Sequence, residues 1–303
     1  MQVNYAEGCK ITKDGQNWNT DKIELSNPED DKKLIAEAVE VAKKSEVTVL
    51  FLGGNEQTSR EAWAKNHLGD RSNLGLVGMQ NELVKQILAT GKPTVVFLFN
   101  GSPLTFNYIN DNVLAIFECW YLGQETGTAI AEVLFGDHNP SGKLPITLPR
   151  SEGQIPVYYN YKPSAKRGYI FDTTDPLYPF GFGLSYTTFS YDNLRISNPK
   201  IKKDGSTMVT IEVTNKGTMK GDEIVQMYIR DEVSSVTRPI KELKGFKRIT
   251  LNPGEMKVVE FLIDPSRLAF YDINMNYVVE AGYFNILVGP SSVDTKKVRM
   301  EVE

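Results

Sequence analysis

The chain has 303 residues, of which 41% are hydrophobic and 24% are charged, and its formal net charge at pH 7 is -4. This length suits roughly two domains, each large enough to bury a core of its own. Because Lys and Arg are not in excess, the composition argues against a nucleic acid or an anionic membrane as a partner. No apolar run approaches the ~18 residues of a membrane span. Two cysteines without a Cys/His cluster indicate neither a disulfide framework nor a metal site.

The first half of the sequence alternates between helix and strand patterns. Asn27 and Pro28, followed by apolar residues at helical spacing, predict a capped helix. The alternation, with short Gly-rich turns after the strands, predicts an α/β doubly wound (flavodoxin-like) sandwich with parallel strands and right-handed crossovers. The predicted strands are residues 47–52, 94–99 and 113–117, and the further predicted helices are residues 77–89 and 125–135.

The loop after the first predicted strand carries the side chains of most chemical interest. Gly53 and Gly54 end the strand, and a polar stretch then contains Glu56, Glu61 and Trp63. Ligands of open α/β sheets bind beyond the carboxyl ends of the strands. An indole near a carboxyl group can keep that acid protonated near neutral pH. Taken alone, the stretch would also suit an ordinary turn without chemistry.

The second half of the sequence has a different pattern. From about residue 185, alternating apolar and polar residues are separated by turn signals such as Asn252-Pro-Gly254, which predicts an all-β sandwich. Residues 151–185, rich in Pro, Gly and Tyr, are predicted to form a strap that packs across both domains. The predicted strands of the sandwich include residues 208–214, 223–229, 257–263 and 283–288.

Four long segments stand out against this background. They are Trp120-Tyr-Leu-Gly-Gln-Glu-Thr-Gly127, Val133-Leu-Phe-Gly-Asp-His-Asn-Pro-Ser-Gly-Lys-Leu-Pro145, Tyr178-Pro-Phe-Gly-Phe-Gly-Leu-Ser-Tyr186 and Arg238-Pro-Ile-Lys-Glu-Leu-Lys-Gly-Phe246. Their sequences and order resemble the C-terminal half of glycoside hydrolase family 3, in particular its β-glucosidases and β-xylosidases. The resemblance covers essentially the whole chain. It implies a connector at residues 1–27, an α/β sandwich at 28–150, the strap at 151–185 and a fibronectin type III-like, immunoglobulin-like β-sandwich at 186–303.

The resemblance also implies a domain that this sequence does not contain. Members of the family with several domains begin with a (β/α)₈ barrel, which carries the nucleophilic aspartate and most of the sugar pocket and needs ~250 residues. Tyr5-Ala-Glu-Gly-Cys9 resembles the connector that follows this barrel. We therefore expect the chain to start where the barrel ends.

The catalytic assignment also follows from the resemblance. The retaining reaction of the family needs one carboxyl group that attacks the anomeric carbon and another that protonates the leaving oxygen. The match around Arg60-Glu-Ala-Trp63 places the second role, that of general acid/base, on Glu61. Glu56 is the second choice, because its neighbours suit a turn closer to the sheet.

Other side chains of this loop have two interpretations each. Trp63 could stack on a sugar ring or pack against its own loop. His67 could line the substrate entrance, although a solvated loop histidine is the more common arrangement. Asp70 and Arg71 could form an ion pair that shapes the loop without taking part in catalysis. No cofactor and no metal are expected.

Three classes of function fit these observations. The first is part of a retaining exo-β-glycosidase that supplies the acid/base to a barrel, so that the isolated chain would be inactive. The second is a non-catalytic carbohydrate-binding or interaction module that could use the tyrosines of Val157-Tyr-Tyr-Asn-Tyr161. The third is a self-sufficient enzyme with Glu56 and Glu61 as its catalytic pair.

The expected partners and location follow from the first class. The partners are an oligosaccharide or β-glycoside substrate and the barrel, and a homodimer is also considered. The family resemblance implies a periplasmic or secreted location. Residues 1–5 do not have the basic and then apolar order of a signal peptide.

Overall fold

The computed structural model describes residues 2–303, which fold as two compact units. The first unit contains the residues up to Thr126 together with Pro149–Ile155, and the second contains Gly127–Leu148 and Pro156–Glu303. Each unit is defined by the contacts among its own residues. The domain boundaries predicted at residues 27, 150 and 185 stay predictions. No helix within residues 2–303 is long and apolar enough to cross a bilayer.

The first unit is built on a parallel sheet. Its strands β1 (Thr48–Gly53), β2 (Thr94–Phe99) and β3 (Ala115–Glu118) lie side by side in that order. The central strand, β2, is almost entirely buried, as expected of a continuous apolar run in a parallel sheet. The predicted α/β class is confirmed. The helices of this unit are α1 (Pro28–Lys43), α2 (Gln80–Leu88) and α3 (Asn107–Asn112), with a single 3₁₀ turn at Glu152–Gln154.

Local sequence explains where most of these helices begin. The Asn27 side chain accepts a hydrogen bond from the Glu29 N–H at the start of α1, and Pro28 occupies the first helical position. Helix α2 begins three residues after the predicted start at 77, because Gly78 adopts a left-handed turn conformation with φ of 63°. Helix α3 was not predicted, since its sequence, which includes three asparagines, shows no helical apolar spacing.

Aromatic side chains form a row across the sheet. Phe51, Phe97 and Phe117 occupy neighbouring positions on β1, β2 and β3. The ring of Phe97 stacks on Phe51 at 5.6 Å and on Phe117 at 4.6 Å between centroids. Such cross-strand pairs stabilise a sheet beyond the area that they bury.

The second unit contains most of helix α4 (Thr126–Phe135) and two β-sheets. A three-stranded sheet has the order β4-β6-β9, a five-stranded sheet has the order β5-β13-β12-β7-β8, and β10 and β11 form a short hairpin. The bounds are β4 Phe189–Ile196, β5 Lys200–Ile201, β6 Thr207–Asn215, β7 Gly221–Asp231, β8 Glu242–Leu251, β9 Met256–Ile263, α5 Pro265–Leu268, β10 Phe270–Tyr271, β11 Tyr277–Val278, β12 Gly282–Gly289 and β13 Lys296–Val302.

The core of this unit is formed by inward-facing residues of the two larger sheets. Val209, Ile211 and Val213 alternate along β6 with partly exposed residues, and Val225 and Met227 of β7 belong to the same buried cluster. This alternation is the one that the sequence predicted, and the all-β class is confirmed. Strands β4 and β8 were not predicted, because both lie at sheet edges and carry the charged residues typical of exposed strands.

Residues 156–184 contain no helix or strand and are tied to the second unit by individual hydrogen bonds. The Tyr159 hydroxyl accepts a hydrogen bond from the Leu243 N–H at 3.0 Å, and its ring stacks on Phe180 at 4.3 Å. The Ile240 N–H donates to the Tyr161 carbonyl at 3.0 Å. Of the tyrosines considered as sugar contacts, Tyr159 is therefore used for packing, whereas Tyr158 is 66% exposed.

Candidate functional site

The loop at residues 54–71, called the Glu61 loop below, begins at the carboxyl end of β1. Gly53 has a φ of 135°, and a Cβ atom at this position would lie 1.9 Å from the Phe99 carbonyl oxygen. Only glycine allows so close an approach of the two strand ends. Gln80 fixes the same residue, because its amide accepts a hydrogen bond from the Gly53 N–H at 2.7 Å and donates one to the Gly53 carbonyl at 2.8 Å. The start of the loop is thus rigidly placed.

Both candidate acids lie on the outside of this loop. Glu56 and Glu61 are exposed. Glu56 belongs to a tight turn, in which the Thr58 N–H donates to the Asn55 carbonyl at 3.1 Å and the Asn55 N–H donates to Thr58 Oγ1 at 3.0 Å. Glu61 lies farther along the loop, between the buried Arg60 and the exposed Ala62.

The two arms of the loop meet behind Glu61. A Cβ atom on Gly69 would lie 2.3 Å from the Glu61 carbonyl carbon, so the backbones touch at this point. The Asp70 N–H donates to the Arg60 carbonyl at 3.2 Å, and the Ala62 N–H donates to Asp70 Oδ1 at 3.3 Å. Asp70 holds a left-handed φ of 42°, which few residues other than glycine adopt. This contact fixes the backbone of Glu61 and leaves its carboxyl group free.

Asp70 and Arg71, both described by the structure, do not form the ion pair that the sequence suggested as one that could shape the loop. Arg71 instead donates to Asn73 Oδ1 at 3.2 Å and to the Gly75 carbonyl oxygen. Asp70 faces the backbone of the opposite arm of the loop. The neighbouring charges in the sequence therefore serve two separate turns.

Arg60, the residue before Glu61, points inward. Its side chain is buried, and the whole residue is 5% exposed. The guanidinium group donates from Nε to the Leu68 carbonyl and from Nη1 to the Trp18 carbonyl, each at 2.7 Å. Nη2 donates to the carbonyls of Thr20 and Asp21 at 2.7 and 3.0 Å. One side chain thus joins the Glu61 loop to an earlier part of the chain.

His67 is buried at 2% exposure, so the interpretation as a solvated loop histidine is wrong. Its ring lies 4.5 Å from the Trp63 ring and 6.3 Å from the Trp18 ring, between centroids. Nδ1 is 3.9 Å from Asp21 Oδ1, and Nε2 has no hydrogen-bond partner within residues 2–303. The aromatic neighbours account for the burial, because they cover the His67 ring. The polar residues around His67 in the sequence do not indicate these contacts.

Trp63 packs against its own loop and is nevertheless accessible to solvent. Its ring packs on His67, and yet the residue is 70% exposed. One face thus contacts the loop, and most of the indole surface is accessible two residues after Glu61. A role in substrate binding for Trp63 and His67 stays a prediction.

Two polar residues at the ends of β2 and β3 were not singled out from the sequence. Asn100 follows β2 and Glu118 ends β3, and each has one buried side-chain oxygen without a partner among the described residues. Burial raises the pKa of Glu118 to about 7, while hydrogen bonds from the Trp120 N–H and the Asn100 side chain act in the opposite direction. The available signal was a charged residue directly after the apolar run Ala115-Ile-Phe117. No cluster of His, Cys, Asp or Glu among residues 2–303 is arranged to hold a metal ion.

A tyrosine near the end of β3 also contacts the Glu61 loop. The Tyr121 hydroxyl lies 3.0 Å from Ser59 Oγ, at hydrogen-bonding distance. Trp120 adopts a left-handed φ of 51°, a rare conformation for so large a residue. This turn lies directly before Tyr121, at the same edge of the sheet as the Glu61 loop.

The sequence and the fold together define a class of protein. Its α/β unit carries a loop with exposed glutamates, and a fibronectin-like β-sandwich follows in the chain. Residues 3–186 match the model of the glycosyl hydrolase family 3 C-terminal domain, and residues 223–292 match a fibronectin type III-like domain. The chain belongs to glycoside hydrolase family 3.

Named relatives and solved structures agree with this assignment. A β-xylosidase of Formosa agariphila is 45% identical over 100% of this chain and 40% of its own length. A periplasmic β-glucosidase of Salmonella typhimurium is 41% identical over 99% of this chain and 40% of its own length. The structure of a β-glucosidase from Erythrobacter marinus superposes with a TM-score of 0.96 at 42% identity, covering 100% of this chain and 41% of that one. The chain therefore spans about two fifths of the length of these relatives.

Proposed function

We propose that this chain supplies the general acid/base of a retaining exo-β-glycosidase and that the acid is Glu61. The observation that carries the proposal is the combination of an exposed carboxyl group with a fixed backbone. Glu61 projects from the loop, while Gly69 contacts its backbone and the neighbouring Arg60 is buried. A catalytic acid needs this combination, because it must reach a substrate and yet be held in one place.

The proposed reaction requires a second carboxyl group from elsewhere. In a retaining glycosidase the nucleophile and the acid/base lie about 5 to 5.5 Å apart, on opposite sides of the scissile bond. We assign the nucleophile to a (β/α)₈ barrel in the same enzyme, as the family resemblance implies. Glu61 would first protonate the leaving glycosidic oxygen and would then, as a carboxylate, take a proton from the water that hydrolyses the glycosyl-enzyme.

The exposure of Glu61 also indicates what the rest of the enzyme would have to supply. This chain encloses the carboxyl group little, so the apolar surroundings that keep a catalytic acid protonated near neutral pH would have to come from the docked barrel and the substrate. The accessible indole of Trp63 would contribute to the same enclosure and could stack on the sugar beyond the scissile bond. The buried His67 ring would pack against Trp63 and hold it in place, rather than contact the substrate directly.

The names of the relatives suggest the substrate class and the location. These relatives are a β-xylosidase and two β-glucosidases, one of which is called periplasmic. We therefore propose a β-glucoside or β-xyloside as substrate and a periplasmic or secreted enzyme. The alternative of a non-catalytic carbohydrate-binding module has the exposed Tyr158 in its favour.

Glu61→Gln and Glu56→Gln form a matched pair that tests the assignment in the complete enzyme. Both remove one exposed carboxyl group from the same loop. We expect Glu61→Gln to lower kcat by at least about 100-fold on glycosides with poor leaving groups, since general acid/base catalysis supplies roughly that much or more. Glu56→Gln should leave kcat within a factor of about 3. A large loss with Glu56→Gln and none with Glu61→Gln would move the role to Glu56.

A further inference from the structure

The Arg60 side chain is an unusual neighbour for an exposed glutamate. It is buried, and no carboxylate within residues 2–303 forms an ion pair with it. Its charge is instead met by four backbone carbonyls, those of Trp18, Thr20, Asp21 and Leu68. A buried cation is costly unless hydrogen bonds compensate for the lost water, and the planar guanidinium group can reach several acceptors at once. The arrangement is therefore specific to arginine.

Other hydrogen bonds connect the same two parts of the chain. The Leu68 N–H donates to the Asp21 carbonyl at 2.9 Å, and Gln57 Nε2 donates to the Gln16 carbonyl at 3.0 Å. Thr12 Oγ1 donates to Gln57 Oε1 at 2.8 Å. The Glu61 loop is thus attached on both sides of Glu61 to residues 12–21, which we call the anchor segment. Of the loop residues that bond to the anchor segment, Arg60 is the one next to Glu61 in the sequence.

We propose that Arg60 is a positioning residue that fixes the backbone carrying the Glu61 side chain, because it clamps the Glu61 loop onto the anchor segment. The inference rests on the proposed role of Glu61 and adds a second element to it. Arg60 precedes Glu61 in the chain, and Gly69 contacts the Glu61 backbone. A movement of the anchor segment would therefore displace Glu61, because Arg60 is hydrogen-bonded to that segment. A misplacement of about 1 Å at a reacting group can cost about 100-fold in rate.

Hydrogen exchange of the 303-residue chain tests the clamp without any need for activity. We compare the parent chain with Arg60→Ala, which removes the guanidinium donor from four carbonyls, of which that of Asp21 keeps the Leu68 N–H. Exchange should become at least about 10-fold faster in peptides covering residues 12–21 and residues 60–70 together, while peptides of β2 stay unchanged. Faster exchange in residues 60–70 alone would overturn the proposal, because Arg60 would then stabilise only its own loop. Unchanged exchange in both would also overturn it.

Arg71→Ala is the matched control. It removes an arginine from the same loop, but Arg71 donates to Asn73 and Gly75 and not to the anchor segment. We expect no change in exchange at residues 12–21, and a change as large as that of Arg60→Ala would overturn the proposal. If Arg60→Ala does not fold, Arg60→Lys replaces it, because lysine keeps the charge and cannot reach all four carbonyls. The same joint increase, with smaller size, is then expected.

Kinetics of the complete enzyme separate positioning from general stability. Arg60→Ala should lower kcat about 10- to 100-fold on glycosides with poor leaving groups, with KM changed less than about 3-fold. Dinitrophenyl glycosides, whose leaving group needs no proton, should lose much less in their glycosylation step. Equal losses on both kinds of substrate would overturn the positioning role. If Glu61→Gln proves as active as the parent, the proposed function fails, whereas the exchange result still decides whether the clamp exists.

Discussion

Glu118 shows how burial changes the proton affinity of one carboxyl group. Its Oε2 and the Asn100 Oδ1 are both acceptors without partners among the described residues when the carboxyl group is ionised. The main cause of the shift is burial, which penalises the ionised form of the carboxyl group. The pKa is raised to about 7, although hydrogen bonds from the Trp120 N–H and the Asn100 side chain act in the opposite direction.

The proton on Glu118 has a consequence for stability. Because the pKa is raised from 4.5 to about 7, the folded chain holds the proton in a range where the unfolded chain has lost it. The contribution is complete below about pH 4.5 and is lost as the pH rises to about 7, with a size of about 3 kcal/mol. We expect Glu118→Gln to flatten this decline. Urea denaturation of parent and variant at pH 5 and 7.5 measures it, and equal pH dependence would contradict the assignment.

At Gly69, the close approach of another part of the backbone leaves no room for a side chain. A methyl group at this position would meet the backbone of Glu61 and Ala62 at 2.3 to 2.4 Å. Gly69→Ala should therefore lower the free energy of unfolding by roughly 1 to 3 kcal/mol and lower kcat of the complete enzyme. Gly75→Ala is the control, since its Cβ would have ordinary 4.0 Å contacts. Equal urea midpoints for the two variants would show that the loop has more freedom than the distances indicate.

At the scale of elements, the first unit depends on β2. Phe97 is fully buried between the rings of Phe51 and Phe117. Phe97→Ala should destabilise the unit by about 3 to 5 kcal/mol, because it removes a large side chain from the middle of the sheet. Phe51→Ala should cost clearly less, since Phe51 is largely exposed. Tryptophan fluorescence in urea reports this transition, because Trp18, Trp63 and Trp120 all lie in the first unit.

The elements also show what the sequence could and could not predict. Strands β1 and β2 and helix α1 were predicted to within a few residues, since burial and capping leave clear patterns. The edge strand β8 has no such pattern, because water covers one side of it. The candidate acid loop was found by its polar residues after a strand. The inward turn of Arg60 was not found, because its acceptors are carbonyls of Trp18, Thr20 and Asp21, and every residue of any sequence has a carbonyl.

At the scale of the whole molecule, the main feature is the division of labour in the proposed enzyme. The chain spans about two fifths of the length of its relatives and carries the proposed acid, whereas the proposed nucleophile belongs to the barrel. We expect no measurable hydrolysis of nitrophenyl β-glucoside or β-xyloside by this chain alone. Activity should appear when the barrel is supplied, joined to the chain or added separately. Robust turnover by the chain alone would instead favour Glu56 and Glu61 as a self-sufficient pair.

The attachment of the Glu61 loop to residues 12–21 limits how this protein can be recombined with its relatives. A chimera that exchanges only residues 54–71 would receive an arginine whose four acceptors include three from outside the exchanged piece. The transplanted glutamate would then lie on a loop that lacks its hydrogen bonds to the rest of the domain. Chimeras of this fold should therefore exchange residues 12–21 and residues 54–71 together, although the two stretches are separate in the sequence.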